Sequence, residues 1–156
     1  GRSRMTKKTT RHFVDRIKKT CLMAMIFGMA ASAVAADRLA KLTDPKDLAL
    51  TARYDAAKVP ADSKVTFIGY VAEQGTAPGS GGKTVHFTVI NNIPAAMGRM
   101  MGSAFAKDNA FFAGCYGDTK LAAPPAETKV RVTATFIKKI DLQTSALKDC
   151  SIEITK

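Results

Sequence analysis

The sequence predicts a mainly β domain: a small barrel of five strands behind a short N-terminal helix, with a small β-sandwich or an α+β arrangement as alternatives. Three observations predict it. From Lys64 onward, apolar residues recur at every second position in five short segments, the period of strands with one face in water. Clusters of Gly, Pro, Ser and Asn separate several of those segments, as turns require. Upstream, Asp44-Pro45 followed by a run of helix formers marks a helix start.

Residues 37–63 are expected to form that helix and a linker. Leu50, Tyr54 and Ala57 fall at i, i+4 and i+7 on one face, and Val59-Pro60-Ala61-Asp62 stops the run. The barrel domain then spans 64–156. Its first strand alternates Val65, Phe67, Gly69 and Val71 against Thr66, Ile68 and Tyr70. Residues 74–82 are dominated by Gly, Ser and Pro and read as an irregular loop. The second strand sets Val85, Phe87 and Val89 on the core face and His86, Thr88 and Ile90 on the other, until Asn91-Asn92 ends it. An insert at 93–109 breaks the pattern. Its Met97, Met100, Met101 and Phe105 predict a short helix plugging the core, with a plastic binding lip as the alternative; Gly98 and Gly102 weaken that helix. A third strand near 110–116 carries Phe111, Ala113 and Cys115 on one side and Phe112, Gly114 and Tyr116 on the other. The fourth alternates Val130, Val132, Ala134 and Phe136 with Lys129, Arg131, Thr133 and Thr135, and the fifth places Cys150, Ile152 and Ile154 together. Barrels abolish exposed sheet edges, and the OB-type barrel uses five strands.

Ahead of this domain, residues 1–36 read as a short appended or upstream leader, Gly1–Arg4, and then a cleavable secretory signal beginning at Met5. A basic head (Lys7, Lys8, Arg11, Arg16, Lys18, Lys19) precedes an apolar run from Leu22 to Ala30 and the small residues Ala31–Ala36, the three parts of such a signal. The run falls short of the roughly 20 apolar residues that span a bilayer, so no stable membrane insertion is expected after cleavage. The expected location is periplasmic or secreted.

The formal net charge of +11 therefore misleads about partners. Residues 1–36 carry eight basic residues and one acid, leaving 16 basic against 12 acidic residues beyond them. A net of +4 is no basic stripe and argues for no particular partner. Cys115 and Cys150 are the cysteines left after cleavage. In an oxidising compartment such a pair most simply forms one disulfide; free buried thiols or a reactive pair are the alternatives.

The order of elements from Lys64 to Thr155 resembles the tRNA-anti-like group of small exported OB-fold domains. The likeness is carried by Ile68-Gly69-Tyr70-Val71, by Cys115 following Phe111-Phe112, and above all by Leu147-Lys148-Asp149-Cys150-Ser151-Ile152. Ala126-Glu127 and Ala134 depart from that group's Gly-Asp and strand glycine. The resemblance implies an OB fold whose third and fifth strands are neighbours, so that Cys115 and Cys150 meet. By analogy of fold it implies nucleic acid as one possible partner, and it transfers no catalytic residue.

The residues offer no catalytic constellation and no cofactor or metal set. His86 is the one histidine beyond the leader, and no G-x-S-x-G elbow occurs. Gly79–Thr84 lacks the first glycine of a phosphate loop, having Ala77 there, and leads into a strand. The binding candidates are Tyr70, His86, Phe112 and Tyr116 on the outward face of the first three strands, with Arg131 in phase beside them. The expected role is a noncatalytic exported binding or accessory module for an oligosaccharide, peptide, envelope protein or nucleic acid. An envelope assembly protein using the Met-rich insert is the alternative, and a hydrolytic enzyme is the less favoured third.

Overall fold

The computed structural model describes residues 38–156; the secretory signal expected at 1–36, and its cleavage site, lie outside them. Strand β1 (Ala40–Lys41) is a two-residue parallel bridge to the start of β2 (Lys64–Pro78). Between them α1 (Pro45–Tyr54) begins at a doubly satisfied cap. The Asp44 carboxylate accepts from the Asp47 backbone N–H at 2.8 Å, and the Asp47 carboxylate accepts from the Thr43 N–H at 2.8 Å. One orphan donor of the first turn, Asp47 N–H, and the N–H just ahead of the cap are thereby paired. Asp44→Ala is expected to cost about 1 kcal/mol, read as a lower midpoint of urea unfolding with an unchanged slope.

The face that α1 buries is Pro45, Leu48 and Ala49, with Ala52 partly buried behind them. Tyr54 is 72% exposed and Ala57 lies beyond the helix end in a 3-10 turn. This corrects the expected Leu50–Tyr54–Ala57 stripe. The helix closes one end of the barrel against β2, β4 and β6, so its inward face is set by Pro45 meeting the barrel at Gly69.

The remaining strands are β3 (Thr84–Asn91), β4 (Phe112–Gly117), β5 (Lys129–Lys139) and β6 (Thr144–Ile154). β2 pairs antiparallel with β3, β3 with β4, β4 parallel with β6, β6 antiparallel with β5, and β5 back to β2. That ring of five strands is an OB-like barrel. Its first strand serves two neighbours in turn. Lys64–Tyr70 pairs with β5, and Tyr70–Pro78 pairs with β3 across a register shift between Val71 and Glu73, a bulge that bends the strand. At the handover Gly69 has no room for a side chain: a Cβ there would lie 2.5 Å from Ile90 Cγ2 and 2.9 Å from the Asn91 carbonyl oxygen.

Inside the ring sit Val65, Phe67 and Val71 from β2, Ile90 from β3, and Ala113 and Cys115 from β4. Val130, Val132, Ala134 and Phe136 of β5 and Leu147 of β6 complete the interior, with Leu48 and Val59 at the closed end. On β6 a bulge at Asp149, whose φ is +51°, sets Asp149 and Cys150 together against the position of Ala134. Leu147 and Cys150 can then both pack on the core although three residues apart. The Cys115 and Cys150 sulfurs lie at disulfide distance, with their Cα atoms 6.0 Å apart. Ile154, expected to share the inner face, is 67% exposed because it lies at the last position of β6.

Three further expectations are corrected. Residues 74–78 are strand, since β2 and β3 continue as a two-stranded arm to the turn at Gly79–Lys83. Gly81 and Gly82 supply that turn's positive φ values. β3 runs in the opposite phase: Thr88 and Ile90 are buried, while Val85, Phe87 and Val89 are only half-buried. The insert forms two short helices, α2 (Ala95–Met101) and α3 (Ser103–Asn109), broken at Gly102 (φ +95°), with no buried residue in either. It plugs nothing. Asn92 pinches its ends together by donating to the Asn109 carbonyl at 3.0 Å and accepting from the Phe111 N–H at 2.7 Å.

Candidate ligand-binding face

Cross-strand partners in an antiparallel pair point to the same side of the sheet, so the register assigns the outer face residue by residue. One lateral row runs Lys129, Tyr70, Asn91, Phe112 across β5, β2, β3 and β4. Two residues farther along, Glu73, Val89 and Gly114 form a second row; the third is Gly75, Phe87 and Tyr116. At about 3.3 Å per residue the outer rows lie about 13 Å apart along the strands. Strand spacing of about 4.8 Å sets the neighbours within a row.

The two rings of the third row lie against glycines. A Cβ on Gly75 would come within 2.7 Å of the Phe87 ring tip, and one on Gly114 within 2.9 Å of the Tyr116 ring. Each ring therefore rests on bare backbone of its own sheet. Both remain half-exposed. Gly114 adds no side chain of its own to the middle row, and the Tyr116 ring fills the space over it.

Of the residues proposed from sequence, Tyr70, Phe112, Tyr116 and Arg131 all take the outer face, Arg131 through its pairing with Ile68 on β2. His86 does not join them. It pairs with Thr76 and Gly117 in the phase of buried Thr88 and Ile90, on the reverse side of the arm. The reason is that Ile90 opposes Val71 and Ala113 and Thr88 opposes Cys115, partners that all point inward. The ring missed was Phe87. Its signal was the pair of glycines, Gly75 and Gly114, that the flanking strands place beside it and Tyr116.

A shallow, open cleft of about 350 Å³ adjoins the β2 bulge, lined by Val71, Glu73, Gln74 and residues 123–126. Glu127 fixes that loop: its backbone N–H donates to the Val71 carbonyl at 2.6 Å. Its carboxylate meets Arg99 of α2 at 3.0 Å. Among the described residues no group of three or more His, Cys, Asp or Glu stands together. No described helix is long and apolar enough to cross a membrane.

No protein-family model and no curated protein matches the chain. Among solved structures, it is similar to the OB domain of Ta0387 from Thermoplasma acidophilum at 14% identity, over 60% of this chain and 76% of that one, with a TM-score of 0.34. It is also similar to yeast Stn1 and Ten1 at 11% identity, over 77% of this chain and 64% of that one, with a TM-score of 0.40. The OB-like assignment rests on the strand ring itself.

Proposed function

We infer that this domain is a noncatalytic binding module, exported to an oxidising compartment, whose outer β2–β3–β4 face holds an oligosaccharide. The observation that carries the reading is the pair of half-exposed rings, Phe87 and Tyr116, laid on glycine backbone along one outer face. A ring braced in this way loses little freedom when a second flat group packs on it. OB barrels use this sheet face and its bordering loops to take oligonucleotides and oligosaccharides. The face carries both signs, Glu73 beside Lys129 and Arg131, and so lacks the single-sign positive field that a phosphate chain requires, which favours a sugar over nucleic acid. The pair of cysteines at disulfide distance and the basic, apolar, small-residue leader support export.

Titration against arrayed glycans, single-stranded oligonucleotides and extended peptides tests the reading. A glycan is expected to bind, and Phe87→Ala or Tyr116→Ala is expected to weaken it by about 1–3 kcal/mol, or about 5- to 150-fold. Gly114→Ala should reproduce the Tyr116 loss by displacing its ring. Unchanged affinity in both alanine variants, or no glycan binding at all, would overturn the proposal. Preference for oligonucleotides would replace the sugar with nucleic acid on the same face.

A further inference from the structure

All three methionines among the described residues lie in one seven-residue helix, α2, and all three are exposed: Met97 by 44%, Met100 by 85% and Met101 by 56%. Met100 and Met101 sit three and four residues after Met97, so each neighbours Met97 on the helix surface with its Cβ about 5–6 Å from that of Met97. Arg99 points to the opposite face, where its guanidinium meets the Glu127 carboxylate at 3.0 Å. That ion pair ties the back of α2 to the loop before β5 and leaves the thioether face turned away from it. Gly102 ends the helix directly after the trio.

Methionine is among the residues most often buried, and three together in water need a partner. A protein interface of ordinary size takes about 800 Å² from each side, far more than three side chains supply. Beyond Gly102, α3 exposes Ser103, Ala104, Lys107 and Asp108 while Phe105 is half-buried, so no large apolar side chain of α3 extends the exposed patch. The chemistry the three side chains share is the thioether sulfur: neutral, polarisable and a ligand for soft metal ions. Unbranched side chains with three rotatable bonds allow three sulfurs to turn toward a common point above the helix.

We propose that Met97, Met100 and Met101 form a surface site for one soft monovalent cation, copper(I) or silver(I), held by three thioethers. Thioether ligands select copper(I) over the harder divalent ions. With Cys115 and Cys150 joined, the described residues offer no free thiolate to compete for the ion. The site lies on a different element from the aromatic face and does not depend on the binding role inferred there.

The test uses full-length protein labelled with methyl-13C methionine, with the Cys21 thiol alkylated and the Cys115–Cys150 pair left oxidised. Silver(I) nitrate is titrated in chloride-free buffer. The Met97, Met100 and Met101 methyl signals, assigned by single leucine substitutions, are expected to move together and saturate at one ion per chain. Met100→Leu should weaken that site by about tenfold or more. The triple leucine variant, checked for an unchanged circular dichroism spectrum, should bind one ion fewer than the parent. The proposal is overturned if the three signals shift at different silver concentrations, or move only after those of Met5, Met23, Met25 and Met29. It is equally overturned if the triple variant binds as many ions as the parent. The wild-type methyl shifts decide the matter even if a variant folds poorly.

Discussion

Phe67→Ala is expected to destabilise the domain by about 3–5 kcal/mol, the range for removing a fully buried ring. Phe67 is wholly inaccessible, on the inner face of β2, opposite Val132, which is also wholly buried. Neighbours from a closed ring cannot collapse freely into the space, because each is held by two strand partners. The substitution therefore loses both the transfer energy of the ring and the contacts around the cavity left behind. Typical domains are stable by about 5–15 kcal/mol, so about a fifth or more of the total is at stake. Thermal unfolding should shift down by about 10–25 °C. Tyr54→Ala on α1 is the matched contrast: an exposed aromatic whose loss should stay within about 0.5 kcal/mol. A drop of under about 1 kcal/mol for Phe67→Ala would be incompatible with the interior described here.

Cys115→Ala combined with Cys150→Ala should cost about 4 kcal/mol. The two residues are 35 apart in sequence, and cross-linking a loop of that length restricts the unfolded chain by about that amount in the chain-entropy model. Alanine avoids setting a serine hydroxyl beside the core, where Cys115 is buried. Denaturant unfolding of the oxidised parent, the reduced parent and the double variant measures the effect. The last two are expected to agree within about 1 kcal/mol, since both lack the link. Thiol labelling of unfolded, unreduced protein supplies the direct check: Cys115 and Cys150 should react only after reduction. Labelling of both before reduction would rule the bond out.

The fold was most legible where one face of a strand is apolar and the other polar. On β5, Val130, Val132, Ala134 and Phe136 alternate with Lys129, Arg131, Thr133 and Thr135, and that period alone identifies the buried side. On β3 both faces carry apolar residues, so the count of Val85, Phe87 and Val89 pointed inward the face that lies outside. Its phase is decided by long-range partners, Val71, Ala113 and Cys115, which no local pattern reveals. The same holds for residues 74–78. Glycine and proline there speak for a loop, yet the pairing of Glu73–Pro78 with Thr84–Val89 carries the strand onward, with Phe87 lying over Gly75. In the candidate site, Tyr70, Phe112, Tyr116 and Arg131 could be grouped from alternation, whereas His86 was misplaced and Phe87 overlooked by the single phase error on β3. The spacing of Met97, Met100, Met101 and Phe105 predicts a core plug because helical spacing of apolar residues ordinarily means burial. The Gly102 break was legible from the glycine itself, whereas the Arg99–Glu127 contact, between segments 28 residues apart, is a tertiary fact.

The β2–β5 pairing that closes the ring joins segments far apart in the chain, Lys64–Tyr70 with Lys129–Thr135. The chain must surrender the entropy of a long loop before that contact returns any energy. Topologies dominated by such distant pairings fold on millisecond-to-second timescales. During that interval the backbone donors and acceptors of both segments stay open to any other extended chain nearby. The cost of closing the ring thus falls on its own assembly, when the Lys64–Tyr70 margin of β2 is briefly available for mispairing.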